Sequence, residues 1–207
     1  MFNSTKFILS EQCQYAMQTW SFSDSNNLRS TMKYIDHLFQ KRSRLLAIRI
    51  DLSFRAGTEG QYNAELAREY FSRFMNNRRN NSIFANEMGY IWAMEWGPER
   101  GFHYHCIFFY DGHASQQDIT IGSRIGSYWI NEITQGTGYF SCSNDNKSEL
   151  ERKGFPVGIG MIHRNDVGMR ENLAWIATYL IKNETNIRAV LPESLKRFRT
   201  FGHGEIK

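Results

Sequence analysis

The stretch "YIWAMEWGPERGFHYHCIFFY", residues 90–110, decides the fold. Two runs rich in aromatic and branched side chains, "YIWAMEW" (90–96) and "HYHCIFFY" (103–110), flank "GPERG", a cluster of turn residues. Such runs favour extended backbone, and a short Gly/Pro segment between them folds one back on the other. The spacing predicts an antiparallel hairpin. Successive side chains in a strand point to opposite faces. His103, His105, Ile107 and Phe109 therefore share one face, and Tyr104, Cys106, Phe108 and Tyr110 share the other.

Working outward, "RLLAIRIDLSF" (44–54) reads as a further strand, with Ile48, Ile50 and Leu52 alternating against Arg49, Asp51 and Ser53. Helices are predicted over Asn27–Lys41, Asn63–Asn77 and Ser123–Glu132, and a short strand over Gly160–His163. The clearest helix is "MRENLAWIATYLIKN" (169–183), where Leu173, Ile176, Ala177 and Leu180 form one apolar stripe. Residues 136–158, rich in Gly, Ser and Asn, read as a long surface loop. The basic tail "LPESLKRFRTFGHGEIK" reads as partly irregular. Mixed helices and strands around an antiparallel pair predict an α+β fold, a central antiparallel sheet of about five strands with flanking helices. At 207 residues the chain suits a single domain, 1–207, with 1–43 as an N-terminal helical extension packed on it.

The net charge of +4 is compatible with a polyanionic partner, but many ordinary proteins share it. Three cysteines, Cys13, Cys106 and Cys142, form no CxxC pair, which argues against a disulfide framework or a cysteine zinc site. No apolar run approaches the roughly 18 residues of a membrane span, and the N-terminus lacks a signal-type apolar run. A cytoplasmic protein with no membrane partner is expected.

Two imidazoles about 7 Å apart along a strand can converge on one ion, and a third ligand is then required. Glu95 is the first candidate, because a partner paired with His103 or His105 across the hairpin points to the same side. Register decides this, since a slip of one residue sends Glu95 to the opposite face. Glu99 and Asp51 are the fallbacks. Two histidines and a carboxylate suit Mg²⁺ or Mn²⁺ bridged to a phosphate, and also zinc or iron. Tyr179 and Lys182, three apart, share a helical face beside the apolar stripe. Ionising a free phenol at pH 7 costs about 4 kcal/mol, and a nearby cation lowers that cost. A metal-binding pair, a phenol and a lysine together suggest phosphodiester transesterification.

"HYHC" followed by "YLIK" resembles the HUH endonucleases, whose signature is His–hydrophobic–His and then a helix-borne catalytic tyrosine. "ERGFHYHCIFFYDG", "IATYLIKNET" and "RTFGHGEI" more closely resemble inovirus-type and prophage replication initiation proteins of the YagK/YfjJ C-terminal domain family, over about residues 44–205. The resemblance implies a Rep-like sheet with an RRM-like core and an enzyme that nicks single-stranded DNA at an origin or hairpin to start rolling-circle replication. A 5′-phosphotyrosine link and a free 3′-OH would result. It implies His103, His105 and Glu95 as metal ligands for Mg²⁺ or Mn²⁺, Tyr179 as nucleophile and Lys182 as its companion. A bacterial host would supply helicase and polymerase, since the chain has no GxxxxGK[ST] phosphate loop. Asn183 stands where a second tyrosine would follow one turn later, so one covalent link per site is expected.

Arg49, Lys196, Arg197 and Arg199, with Arg78 and Arg79, are the basic candidates for DNA contact. Competing expectations are an HUH single-tyrosine transposase, a non-catalytic nucleic-acid-binding domain, and a metal-dependent hydrolase using water in place of Tyr179.

Overall fold

The structure is a computed structural model that describes residues 25–57, 62–181 and 184–205. Six strands form one antiparallel sheet: β1 (Arg44–Phe54), β2 (Glu87–Gly97), β3 (Gly101–Asp111), β4 (Gly138–Cys142), β5 (Gly160–His163) and β6 (Phe201–His203). The order is β4-β1-β3-β2-β6, and β5 pairs with the first part of β1. The helices are α1 (Ser25–Lys41), α2 (Ala64–Asn77), α3 (Asp118–Tyr128), α4 (Lys147–Arg152), α5 (Val167–Ile181) and α6 (Glu184–Val190). This is the expected α+β class, and the six strands among the described residues agree with the anticipated sheet of about five.

The hairpin turn sets the register on which the site depends. Gly97 pairs with Gly101, leaving Pro98, Glu99 and Arg100 as the loop. The Arg100 amide donates to the Gly97 carbonyl at 3.3 Å, and Gly101 takes φ +61°. Proline presets the first corner, and glycine accepts the left-handed backbone that closes a three-residue loop. Counting back two from that pair brings Glu95 directly opposite His103.

The two faces of the sheet bury different cores. Ile48, Ile50 and Leu52 of β1 with Cys106, Phe108 and Tyr110 of β3 pack beneath Phe71 and Phe74 of α2, Ile125 of α3 and Trp129. Tyr104, between the two histidines, belongs to this core. Its ring is fully buried and stacks on Phe71 with centroids 3.8 Å apart, a contact of about 0.5–1.5 kcal/mol beyond its area. The opposite face buries Leu45, Ala47, Ile91, Ala93, Ile107 and Phe109 beneath α1 and α5. From α1 come Tyr34, Ile35 and Leu38; from α5 come Leu173, Ile176, Ala177 and Leu180, the stripe read from the sequence.

Several boundaries differ from expectation. The supposed surface loop 136–158 contains β4 and α4. Strand β4 exposes Tyr139 and Ser141 and is held by pairing with Ile50–Phe54 of β1, so its stability comes from a distant partner rather than from its own pattern. The tail, read as partly irregular, contains β6, paired with Ile91–Ala93 of β2. The helix expected over Ser123–Glu132 begins earlier, at Asp118, and widens into a π-turn over Trp129–Ile133. No helix among the described residues is long and apolar enough to cross a membrane. Residues 1–24 of the N-terminal extension lie outside the described residues.

Candidate metal centre

His103, His105 and Glu95 meet on the α1/α5 face of the sheet, at the end nearest the hairpin turn. His103 and His105 lie one residue apart on β3, and Glu95 faces His103 from β2. His105 Nε2 is 3.2 Å and His103 Nε2 3.8 Å from Glu95 Oε2. One donor atom from each of the three lies within 4.8 Å of the others. That span is close to the separation of ligands around one ion with bonds of roughly 2.0–2.2 Å.

The other ring nitrogens are already engaged. His103 Nδ1 donates to the Gly101 carbonyl at 3.0 Å, and His105 Nδ1 donates to Asp51 Oδ1 at 2.7 Å. Each bond fixes the ring's orientation and leaves Nε2 as the inward nitrogen, the arrangement that ligating histidines adopt. Both imidazoles are buried, at 6% and 5% exposure, with rings nearly perpendicular and centroids 4.9 Å apart. This donor set fits a divalent cation. Asp51, considered from sequence as a fallback ligand, instead holds His105 from behind: β1 pairs it directly with that histidine. Glu99 sits exposed in the turn.

Burial and neighbouring charge split the two histidines. Burial pushes His105 down, but Asp51 and Glu95 outweigh it and raise the ring to about 9. Burial and then the adjacent His105 charge lower His103. Burial disfavours the Asp51 carboxylate, yet His105 beside it brings its pKa below the usual range. One ring is thus neutral and ready to donate a lone pair. The other, His105, favours its protonated form, and binding a cation through Nε2 would release that proton.

Tyr179 lies on α5, which covers the same sheet face. Its ring stacks on Trp175 at 5.9 Å, and the Arg49 guanidinium stands 5.6 Å from its centroid. Arg49 is two residues before Asp51 on β1 and pairs with Ile107, so it is diagonal to His105, about 7–8 Å away on that face. Arg49 thus shares β1 with Asp51 and stands beside the Tyr179 ring. Lys182 lies outside the described residues.

The other basic candidates are dispersed. Arg78 is ion-paired with Glu87 and lies over Tyr90. Lys196 pairs with Glu193, while Arg79, Arg197 and Arg199 are exposed. The segment carrying Lys196, Arg197 and Arg199 attaches through Leu195 and Phe198 to the core on the α2 side, opposite the histidines.

Residues 11–149 match the model of the YagK/YfjJ C-terminal domain, well over half of the chain. The chain belongs to the YagK/YfjJ C-terminal domain family. The family match contains Arg49, Asp51, Glu95, His103 and His105, and ends before Tyr179. No curated protein and no solved structure matches the chain.

The sequence reading missed a cleft of about 200 Å³ between α5, Arg49 and the stretch Phe155–Ile159. Trp175 and Tyr179 line it from α5. Their i, i+4 spacing was the available signal; the opposing wall lay in the segment read as loop.

Proposed function

We propose that this YagK/YfjJ-family protein is a metal-dependent, single-tyrosine endonuclease of the HUH type that nicks single-stranded DNA and initiates rolling-circle replication. The observation that carries the reading is the convergence of His103 Nε2, His105 Nε2 and a Glu95 oxygen on the face that α5 covers with Tyr179. His103, His105 and Glu95 would hold Mg²⁺ or Mn²⁺. When bound, the cation supplies positive charge against a phosphate oxygen and so favours attack at phosphorus. Asp51 and Gly101 keep the two rings aimed. Tyr179 supplies the attacking oxygen: its Oη–P bond forms as the P–O3′ bond breaks, the phenol loses its proton, and the departing 3′ oxygen gains one. Arg49, beside the Tyr179 ring, would bind the phosphate. Lys182 would assist from the same helical face, as the resemblance implies. The substrate would be an origin or hairpin, with host helicase and polymerase continuing from the 3′-OH.

Incubation with labelled single-stranded origin DNA and Mn²⁺, followed by a denaturing gel, tests this. A covalent protein–DNA band is expected for the wild type and none for Tyr179→Phe. Cleavage that survives in Tyr179→Phe overturns the phenol's role. One observation favours that second reading, hydrolysis by water: the cleft lined by Tyr179 does not include His103, His105 or Glu95.

A further inference from the structure

The cleft beside Tyr179 combines three features. Its apolar walls come from Ile176 and Pro156 among others, and aromatic rings stand on both sides: Trp175 and Tyr179 on α5, and Phe155, 51% exposed, on the opposing stretch. Trp175 and Tyr179 already form a stack with their planes 24° apart. Among the described residues a single cation, Arg49, belongs to the lining, and none of the lining residues is acidic. The Arg49 Nε is buried and has no hydrogen-bond partner among the described residues. A buried guanidinium nitrogen in that state can take an acceptor from outside the protein, a bound anion or a water.

The walls are built in advance. Gly158 lies so close to α5 that a Cβ there would sit 2.0 Å from the Leu173 amide nitrogen, and Asn172 Nδ2 donates to the Val157 carbonyl at 3.3 Å. The Phe155–Ile159 stretch is therefore fastened to the helix that carries Tyr179.

Apolar walls, stacked rings and an arginine whose Nε lacks a hydrogen-bond partner among the described residues fit a planar aromatic group joined to an anion. We propose that this cleft is a nucleotide subsite that seats one base of a single-stranded DNA between Phe155 and the Trp175/Tyr179 stack, with Arg49 on its phosphate. The proposal rests on the nuclease reading for its substrate class. It adds that the strand is gripped through a base next to the phenol. Stacking of this kind tolerates any base, because every base has a π-face.

The test is binding of the full chain, in metal-free buffer, to a fluorescent dT 20-mer and to a 20-mer of abasic sites. The wild type is expected to prefer dT. Phe155→Ala should weaken dT binding roughly 5- to 150-fold and leave abasic binding unchanged, with Phe155→Trp restoring it. Equal binding of both strands by the wild type overturns the subsite. So does a Phe155→Ala variant that binds dT like the wild type or weakens both strands alike. Because no cleavage is read, failure of nicking leaves this result intact. Nicking that persists while Phe155 proves irrelevant removes the subsite alone.

Discussion

His105 uses its two nitrogens for two tasks: Nδ1 meets Asp51 at 2.7 Å and Nε2 faces Glu95 at 3.2 Å. The Asp51 carboxylate makes the ring a better donor and prevents it from rotating. Asp51→Asn keeps an acceptor but loses the charge, so Mn²⁺ affinity by titration calorimetry should fall about 10- to 100-fold. Replacing His103 and His105 together with alanine should abolish Mn²⁺ binding. Unchanged affinity in Asp51→Asn would confine that residue to a packing role. The histidine pair was plain in the sequence because residues two apart on a strand share a face. Glu95 was conditional on the turn, and Gly101 with its left-handed backbone resolved the condition. The role of Asp51 was not legible, since only strand order brings β1 beside β3.

Strand β1 is paired along its outer edge by β5 over Arg44–Ala47 and by β4 over Ile50–Phe54. Between them the Asn144 side chain stands in for a strand. Its Oδ1 accepts from the Arg49 amide at 2.9 Å, while Nδ2 donates to the Ala47 carbonyl at 2.9 Å and to Asp118 Oδ2 at 2.8 Å. Lys147 closes the set on Asp118 at 2.7 Å. Asn144 is 1% exposed, so Asn144→Ala strands buried polar groups and should cost about 2–5 kcal/mol, read as a lower urea midpoint. A midpoint equal to the wild type would show that water substitutes for the amide. This edge also sets the backbone of Arg49, the residue beside Tyr179. In the sequence Asn144 is one of several polar residues in "CSNDNKS" and looks like surface. Its two backbone partners are 95 and 97 residues away, a separation no local pattern encodes.

For the whole molecule, the sheet divides the interior into two cores, and one buried ion pair makes stability depend on pH. Burial raises the Glu87 carboxyl to about 7, although Arg78 is ion-paired with it and pulls the other way. A folded-state value above the ordinary 4.5 means the native protein binds the proton more tightly than the unfolded chain. The contribution is complete below about 4.5 and is lost as pH rises through about 7. Denaturant titrations from pH 5 to 8 should therefore show stability falling by up to about 3 kcal/mol more in the wild type than in Glu87→Gln. Parallel slopes would refute the assignment. At this scale the sequence alone determined the α+β class, the hairpin, β1, α5 with its apolar stripe and the histidine face, because alternation and helical periodicity are local properties of the chain. Tertiary structure alone decided that 136–158 and the tail contribute β4 and β6, that Asp51 supports His105, and that Arg49 stands beside the Tyr179 ring. It also decided that Phe155 faces Trp175 across a cleft. Those relations depend on which strands become neighbours and which helix covers which face, and such long-range packing leaves no periodic trace in the chain itself.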